Sequence, residues 1–441
     1  MNPLVRAPYS LAGGLARIAS ALAPAGEGKL AASLRARRGI RGRYAAWSAA
    51  HRDPLRPLLW IHAASVGEGL QALAVIQRLR ARHPDWQLAY TYFSPSARAF
   101  ALTIGADFTD YLPFDTAGDA DAALDALRPT ALVFSKLDVW PLFVAGAVAR
   151  GIPVGLISAT LSGTSARRSP LTALILGGAY RSLARVGAIA TDDATRLEAL
   201  GVAADHVSVT GDSRYDQVWA RAQSVDLAAP LLAPFTGAAH RPTLVAGSTW
   251  PADEAPLLKA WRTIGSRAKS PRLIIAPHEP TATHLEPIER WARRESLLLV
   301  RLGAPGAAAA NVVLVDRVGV LGDLYALADV AFVGGGFHAA GLHSVLEPAA
   351  FGAPVIFGPR HHASRDALLL LEQGGAFTAS TAAELSACLA SLLGEGAARE
   401  RRIRAGTRAR ALVEAGLGAA DRGADLVESL MTPAAVPSAR G

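Results

Sequence analysis

The sequence predicts an α/β protein of two doubly wound domains, each a parallel sheet covered by helices on both faces. Three observations support this. Short apolar segments alternate with longer helical patterns from residue 58 onward, and such alternation is typical of parallel sheets. The alternation stops across residues 223–242 and then restarts. The chain of 441 residues is also longer than one compact core usually holds.

Eleven strands and three helices are predicted from apolar runs and their spacing. The first-domain strands are 58–63, 88–93, 131–135, 154–159, 188–191 and 207–210. The helices between them are 70–82, 142–150 and 170–185. The second-domain strands are 243–246, 273–276, 312–315, 330–333 and 355–357. We therefore divide the chain into a basic segment 1–45, domains 46–225 and 226–431, and a disordered tail 432–441.

The amino-acid composition excludes several classes of protein and of site. Hydrophobic residues make up 51% of the chain and charged residues 19%, which excludes global disorder. The single cysteine, Cys388, excludes a disulfide framework and a cysteine-ligated zinc site. Of the net charge of +8, residues 1–50 hold +7, from eight basic residues and one glutamate. Because a nucleic-acid enzyme usually lines its cleft with basic residues, no nucleic-acid partner is expected.

The basic N-terminal segment has apolar residues near helical spacing, namely Leu4, Leu11, Leu15, Ile18 and Leu22. No apolar run is long enough to span a membrane. We expect an amphipathic helix on an anionic membrane surface, supported by the basic residues Arg35, Arg37, Arg38, Arg41 and Arg43. A buried helix would show the same periodicity. A signal peptide is the other alternative, but Arg17 interrupts its apolar region.

Two strand-to-helix turns carry the candidate chemistry. Residues 60–68 read WIHAASVGE, and residues 333–359 read VGGGFHAAGLHSVLEPAAFGAPVIFGP. Ligands of open parallel sheets bind beyond the carboxyl ends of the strands, so both turns are expected to face a cleft between the domains. In the first turn, Ser65 and Glu68 also match a capping box, in which each satisfies an N–H group of the other.

The second turn has three consecutive glycines, whose N–H groups can form a nest for a phosphate. The alternative is that Gly334, Gly335 and Gly336 only make a tight turn and that Glu347 caps the next helix. His338, His343 and Glu347, or His361 and His362, suggest a metal site, but an open glycine turn sets no coordination geometry. We therefore expect no metal ion and no cofactor.

Taken together, these motifs resemble the 3-deoxy-D-manno-octulosonic acid (Kdo) transferase family, glycosyltransferases of two Rossmann-like domains in the GT-B architecture. The resemblance covers essentially the whole chain. The matching segments are 62–68, 92–96, 112–115, 138–141, 211–216, 247–250, 277–279, 329–336 and 341–359. The chain departs from the family pattern at Lys136, where the family often has an acidic residue, at Ser344 of the His343–Ser344 pair, and at His278.

The resemblance implies an inverting transfer of Kdo from CMP-Kdo to a lipid A precursor, with Glu68 as the general base. The acceptor-binding residues it implies are His62, Ser65, Gly67, Ser94, Ser96 and Arg98. Donor-binding residues would be Ser248, Thr249, His278, Gly334, Gly335, Gly336, His343, Ser344 and Glu347. Ser94 and Ser96 could instead cap the helix near Pro95, and Arg214 could bind a phosphate or pair with Asp212 or Asp216.

The resemblance further implies a peripheral or monotopic protein on the cytoplasmic face of the inner membrane. The rival functions are a UDP-sugar-dependent GT-B transferase that acts on another lipid, a nucleotide-sugar epimerase of the same architecture, and a lipid-binding homologue without activity. The basic terminus argues against the epimerase, and the presence of Glu68 argues against the inactive homologue.

Overall fold

A computed structural model describes residues 29–163, 165–237, 241–265, 271–339 and 341–432. The apolar stripe of the expected membrane helix lies in residues 1–28 and most of the expected tail in residues 433–441, both outside the described residues. Within the described part of the chain, no helix is long and apolar enough to cross a membrane.

The first sheet has seven parallel strands in the order β3-β2-β1-β4-β5-β6-β7. They are β1 Leu58–His62, β2 Gln87–Tyr92, β3 Phe108–Tyr111, β4 Ala131–Ser135, β5 Val154–Ala159, β6 Arg185–Ala188 and β7 Val207–Val209. Strands β1, β2, β4 and β5 are buried along their whole length. A strand covered on both faces reads as a continuous apolar run, which is why the sequence predicts these four well.

The second sheet also has seven parallel strands, in the order β10-β11-β9-β8-β12-β13-β14. They are β8 Thr243–Thr249, β9 Arg272–Pro277, β10 Leu299–Arg301, β11 Val312–Leu314, β12 Val330–Val333, β13 Val355–Phe357 and β14 Ala376–Thr378. Two apolar clusters pack against this sheet, one containing Trp261 and Phe332 and the other Phe235 and Tyr325.

Most helices lie between strands in chain order, while two precede β1 and three follow β14. Up to residue 224 they are α1 Lys29–Ala36, α2 Ile40–His51, α3 Val66–Arg82, α4 Arg98–Thr103, α5 Ala117–Leu127, α6 Pro141–Ala149, α7 Pro170–Arg181, α8 Thr191–Ala199 and α9 Arg214–Ser224. The others are α10 Ala233–Thr236, α11 Pro251–Gly265, α12 Ala282–Arg294, α13 Leu321–Leu324, α14 Leu346–Ala350, α15 Arg365–Glu372, α16 Ala382–Leu393, α17 Ala397–Ala415 and α18 Ala419–Met431.

The chain forms two compact units, one of residues 1–217 and 417–441 and the other of residues 218–416. Helix α18 therefore belongs to the first unit, whereas the sequence analysis placed it in the second domain. Its apolar face, including Val427 and Leu430, joins the core of the first unit. The carboxylate of Asp216 accepts hydrogen bonds from the N–H groups of Gly418 and Ala420, at 2.8 and 2.9 Å. These long-range contacts leave no local sequence pattern.

The predicted fold class, two doubly wound α/β domains, is confirmed. Three strands were missed: β3, β10 and β14, each at the edge of its sheet. Such strands are short and partly exposed, so they lack the continuous apolar run that identifies a central strand. One predicted strand, 188–191, is displaced, since β6 occupies Arg185–Ala188 and α8 begins at Thr191.

The basic residues expected at the membrane are largely bonded within the first unit. Arg37 is only 3% exposed, so its assignment to a membrane surface is wrong. Arg41 pairs with Asp119 at 2.5 Å, and Arg43 pairs with Asp110 at 2.6 Å. Arg38 is exposed and Arg35 is half-buried. Arginine spacing alone does not distinguish a charge that faces solvent from one that packs against the protein.

Candidate active site

The candidate residues lie where the strand order reverses in each sheet. In the first sheet, Glu68 follows β1 and Asp138 follows its neighbour β4. In the second sheet, Trp250 follows β8 and Gly334 follows its neighbour β12. Ligands of doubly wound sheets bind at such switch points, outside the carboxyl ends of the strands. The fold therefore places both signature turns at the positions where such a sheet binds ligands.

Glu68 lies in the first turn of α3 and forms the capping box expected from the sequence. Its Oε2 atom accepts a hydrogen bond from the N–H of Ser65 at 3.2 Å, and Ser65 Oγ accepts one from the N–H of Glu68 at 3.4 Å. Ser65 is thereby engaged in holding the turn. Ser135 Oγ donates to the carbonyl oxygen of Glu68 at 3.1 Å and joins the end of β4 to the start of α3.

The surroundings of Glu68 raise its pKa above the ordinary glutamate value. Burial is the main cause and the charge of Asp138 adds to it, while Lys136 and His62 act in the opposite direction. Burial and Asp138 together outweigh the two opposing groups. For Asp138 itself, burial acts to raise the pKa, yet the hydrogen bond with His62 and the charge of Arg167 lower it overall. A glutamate with a raised pKa is a stronger proton acceptor once ionised.

His62, expected to contact the acceptor, has no exposed surface, so the structure contradicts that assignment. Its Nδ1 atom lies 3.1 Å from Thr91 Oγ1, and its Nε2 atom lies 3.4 Å from Asp138 Oδ2. Trp140 Nε1 donates to Asp138 Oδ2 at 3.1 Å and to His62 Nε2 at 3.3 Å. His62 is therefore a buried residue that contacts Asp138 and Trp140. Sequence reasoning missed Asp138 and Trp140 as site residues, although both stand in a matching segment.

The other expected acceptor residues lie on the loop after β2 or at the start of α3. The N–H groups of Phe93 and Ser94 both donate to the carbonyl oxygen of Ala64, at 3.1 and 2.9 Å, and hold the two loops together. Ser94 Oγ lies 2.8 Å from Ser96 Oγ, and the Ser94 side chain does not cap the turn that follows. Ser96 and Arg98 are exposed.

Gly67 is also exposed. A Cβ atom added there would have no neighbour within 4 Å. The backbone of the first turn of α3 is thus open to a ligand at this point.

In the second unit, the glycine turn after β12 does not form the predicted phosphate nest, because Asp253 of α11 occupies two of its N–H groups. Asp253 accepts hydrogen bonds from Gly335 at 2.8 Å and from Phe337 at 2.9 Å, and the N–H of Gly334 donates to Gly247 at 2.9 Å. A Cβ on Gly334 would lie 2.1 Å from the carbonyl oxygen of Ser248. These glycines allow tight backbone packing, which was the alternative interpretation.

Four rings gather beside this turn and present partly exposed surface. Trp250 stacks on His338 with a centroid distance of 4.5 Å and an interplanar angle of 9°, and His278 stacks on His343 at 4.5 Å. Trp250 Nε1 donates to His343 Nε2 at 3.1 Å. Burial, and then the neighbouring histidines, lower the pKa of His343. Trp250 and His338 were missed as site residues, although Trp250 ends the matching segment 247–250.

The remaining donor candidates differ in accessibility. Thr249 is 2% exposed and donates to Glu254 Oε1 at 2.9 Å, so direct donor contact through its side chain is contradicted. Ser248 has a positive φ of 53°, and strained backbone of this kind often occurs at ligand sites. Ser344 is exposed and Glu347 is half-buried. Burial raises the pKa of Glu347, and the charge of Arg221 opposes that shift.

The sequence left two interpretations of Arg214, a phosphate ligand or a member of a structural ion pair. Arg214 pairs with Asp212 at 2.7 Å, so its guanidinium is engaged in a structural ion pair. Burial acts to raise the pKa of Asp212, but Arg214 lowers it overall. In the part of the chain that the structure describes, no three His, Cys, Asp or Glu side chains group as metal ligands.

Comparison with known proteins identifies the family. The family model described as 3-deoxy-D-manno-octulosonic-acid transferase (kdotransferase) matches residues 34–217. A 3-deoxy-D-manno-octulosonic acid transferase of Bordetella pertussis is 32% identical over 394 residues, which cover 85% of this chain and 88% of that protein. The chain belongs to the 3-deoxy-D-manno-octulosonic acid transferase family. A family member from Aquifex aeolicus is 27% identical and covers 76% of this chain and 86% of its own length. The predicted resemblance is confirmed, and the protein is a glycosyltransferase.

Solved structures agree with the GT-B architecture. The UDP-GlcNAc 2-epimerase of Neisseria meningitidis, bound to UDP-GlcNAc, has a TM-score of 0.61 at 14% identity and covers 85% of this chain and 100% of its own. A putative UDP-N-acetylglucosamine 2-epimerase of Listeria monocytogenes has a TM-score of 0.59 at 12% identity, with coverages of 85% and 96%. At such low sequence identity, these structural similarities are evidence for the fold of this chain alone.

Proposed function

We propose that this protein transfers Kdo from CMP-Kdo to a hydroxyl of a lipid A precursor in lipopolysaccharide biosynthesis, with Glu68 as the general base. The observation that carries the proposal is the position of Glu68. Its carboxylate stands at the switch point of the first sheet, inside the region matched by the family model, with a pKa raised by burial and Asp138.

In the proposed reaction, the acceptor hydroxyl attacks the anomeric carbon of Kdo from the face opposite the nucleotide. A new carbon–oxygen bond forms to the acceptor, the bond from the anomeric carbon to the phosphate oxygen breaks, and CMP leaves with that electron pair. Glu68 takes the hydroxyl proton. Attack from the opposite face inverts the anomeric carbon. CMP needs little acid assistance because its phosphate is already a stabilised anion.

The second unit holds the nucleotide in this proposal. Glu347 accepts hydrogen bonds from the ribose hydroxyls, and the rings of Trp250, His278, His338 and His343 offer stacking and polar contacts for the cytidine. His62 acts as a positioning residue because it is buried, while Gly67, Ser94, Ser96 and Arg98 remain the proposed acceptor contacts. We further propose that the basic N-terminal segment, residues 1–45, holds the protein on the cytoplasmic face of the inner membrane.

The decisive experiment is incubation of the purified full chain with a tetraacylated lipid A precursor and CMP-Kdo, followed by mass measurement of the lipid. We expect a mass increase of one or more Kdo residues. A parallel incubation uses a UDP-sugar as the donor. Transfer from the UDP-sugar with none from CMP-Kdo would replace the proposal with the UDP-sugar-dependent transferase, and conversion of UDP-GlcNAc without any acceptor would favour the epimerase.

A further inference from the structure

Arg37 is a buried cation that connects the N-terminal segment to two loops of the first sheet. Its Nε atom donates to the carbonyl oxygen of Leu112 at 2.8 Å, and its second amino group donates to the carbonyl oxygen of Phe93 at 3.1 Å. The remaining amino group donates to the carbonyl oxygen and the hydroxyl of Ser33, at 3.0 and 2.7 Å. One side chain thus binds α1 and the loops after β2 and β3 at the same time.

Three aromatic rings surround this guanidinium. Its central carbon lies 4.1 Å from the ring centre of Phe93, 5.0 Å from that of Tyr111 and 5.1 Å from that of Phe114. Burial lowers the pKa of Arg37 to about 10. A buried charge is tolerated only where hydrogen bonds and ring faces replace its water shell. The four hydrogen bonds and three ring contacts around Arg37 therefore favour arginine at this position.

The ring of Phe93 continues the connection toward the active site. It stacks on Trp140 with a centroid distance of 5.1 Å and an angle of 23°. Trp140 Nε1 in turn donates to Asp138 and His62. The charge of Asp138 acts directly on Glu68. A contiguous series of contacts, all within the first unit, therefore runs from Arg37 through Phe93 and Trp140 to the groups around Glu68.

We propose that Arg37 is a positioning residue for the transfer reaction, which couples the N-terminal segment, residues 29–51, to the Glu68 site through Phe93 and Trp140. The kinetic test of this inference rests on the proposed function. The structural test, by hydrogen–deuterium exchange, rests only on the contacts described above. It means that the segment preceding the first sheet helps to shape the acceptor site in addition to any contact it makes with a membrane.

The test compares Arg37→Met, which keeps an unbranched apolar side chain and removes its donors, with Arg37→Lys and with Arg185→Met. Arg185 is the control because it is an exposed arginine of the same unit that lies outside the N-terminal segment. We expect Arg37→Met to lower kcat/KM for the lipid acceptor by about 2- to 30-fold, the range found for residues that act through a network. The acid limb of the pH–rate profile should shift in the same variant, and Arg37→Lys should recover part of the loss.

CMP affinity, a property of the second unit, should stay at the parent value in all three variants. A double-mutant cycle with Trp140→Phe completes the test. If the two residues act through Phe93, the combined loss will be smaller than the product of the single losses. A combined loss equal to that product overturns the proposal. So does an Arg37→Met protein that is less stable but has unchanged acceptor kinetics and an unchanged acid limb. If Arg37→Met does not fold, Phe93→Leu, which removes the connecting ring, takes its place.

A second readout separates this proposal from the proposed function. Hydrogen–deuterium exchange, measured without substrate, should become faster in the peptide containing residues 138–144 in Arg37→Met, and remain at the parent rate in Arg185→Met. A parent protein that transfers no Kdo refutes the proposed function, while the exchange result still decides whether Arg37 is coupled to the Glu68 site. Equal exchange in both variants refutes the coupling.

Discussion

Ser65 and Glu68 bond to each other in both directions, with Glu68 Oε2 3.2 Å from the Ser65 N–H and Ser65 Oγ 3.4 Å from the Glu68 N–H. This reciprocal pair caps α3 and also fixes the direction of the Glu68 carboxylate. The cap and the proposed base are therefore the same side chain, so the two roles have to be separated by experiment.

Glu68→Gln separates them, because glutamine also closes a capping box but accepts no proton in the working pH range. We expect a nearly unchanged melting temperature and a loss of roughly 100- to 10,000-fold in the rate of lipid glycosylation. Ser65→Ala is the matched variant that weakens the cap and keeps the carboxylate. It should lower stability by about 1 kcal/mol and retain much more activity. Turnover of Glu68→Gln within a few-fold of the parent would remove Glu68 as the base.

Lys136 stands where the family often has an acidic residue. Its effect on Glu68 can be tested through the pH dependence of the rate. Its positive charge lowers the pKa of Glu68, so Lys136→Met should raise that pKa. Because the base works only when ionised, the acid limb of kcat/KM should then move to higher pH. Lys259→Met in the second unit is the control and should leave the limb in place. A limb that moves to lower pH, or does not move, contradicts the electrostatic role of Lys136.

Glu347 is the proposed acceptor of the ribose hydroxyls. Glu347→Ala should weaken CMP binding by about 1.5–3 kcal/mol, because the hydroxyls lose a charged hydrogen-bond acceptor. Isothermal titration calorimetry measures this directly. Glu384→Ala, at an exposed helix start in the same unit, is the comparison. Equal CMP affinity in Glu347→Ala and the parent would exclude Glu347 from the nucleotide site.

Substitution by alanine is expected to change the stability of the protein in opposite directions at two glycines. At Gly335 φ is 93° and a Cβ would lie 2.1 Å from the carbonyl oxygen of Gly341. Gly335→Ala should therefore lower the free energy of unfolding by more than about 2 kcal/mol. At Gly67 a Cβ would meet no atom within 4 Å apart from its chain neighbours and the backbone of its own helix, so Gly67→Ala should stabilise the protein by about 0.5–1 kcal/mol.

The same Gly67→Ala variant tests whether a ligand approaches the start of α3. A raised KM for the lipid acceptor, together with the higher stability measured by denaturant unfolding, is the expected pair of results. An unchanged KM would show that the acceptor does not come close to Gly67. A destabilised Gly67→Ala protein would contradict the open space at this residue.

Membrane binding is proposed to depend on basic residues of the N-terminal segment, of which Arg38 is exposed and Arg35 is half-buried, whereas Arg37 is buried. Replacing Arg35 and Arg38 with glutamate should weaken flotation with anionic vesicles by about 30-fold or more, at about 1 kcal/mol for each basic residue lost. The control reverses two exposed charges elsewhere in the first unit, Arg181 and Arg185. Equal flotation of both variants and the parent would exclude this surface.

The sequence by itself was sufficient for the architecture of two doubly wound domains. Central strands buried on both faces have continuous apolar runs, so the two sheets and the turns after β1 and β12 could be located without coordinates. The capping box at Ser65 and Glu68 was equally predictable, because both partners lie within three residues of each other. The family motifs then identified Glu68 as the residue to test.

Only the tertiary structure decided which polar groups remain available to a ligand. Asp253 reaches Gly335 across 82 residues of sequence and takes N–H groups that a local motif assigns to phosphate. Arg37 and Arg38 are adjacent in sequence, yet one is buried among aromatic rings and the other is exposed. Helix α18 likewise joins the first unit through Asp216. Each outcome depends on partners distant in sequence, whose positions are set by the packing of the whole unit and not by the spacing of nearby residues.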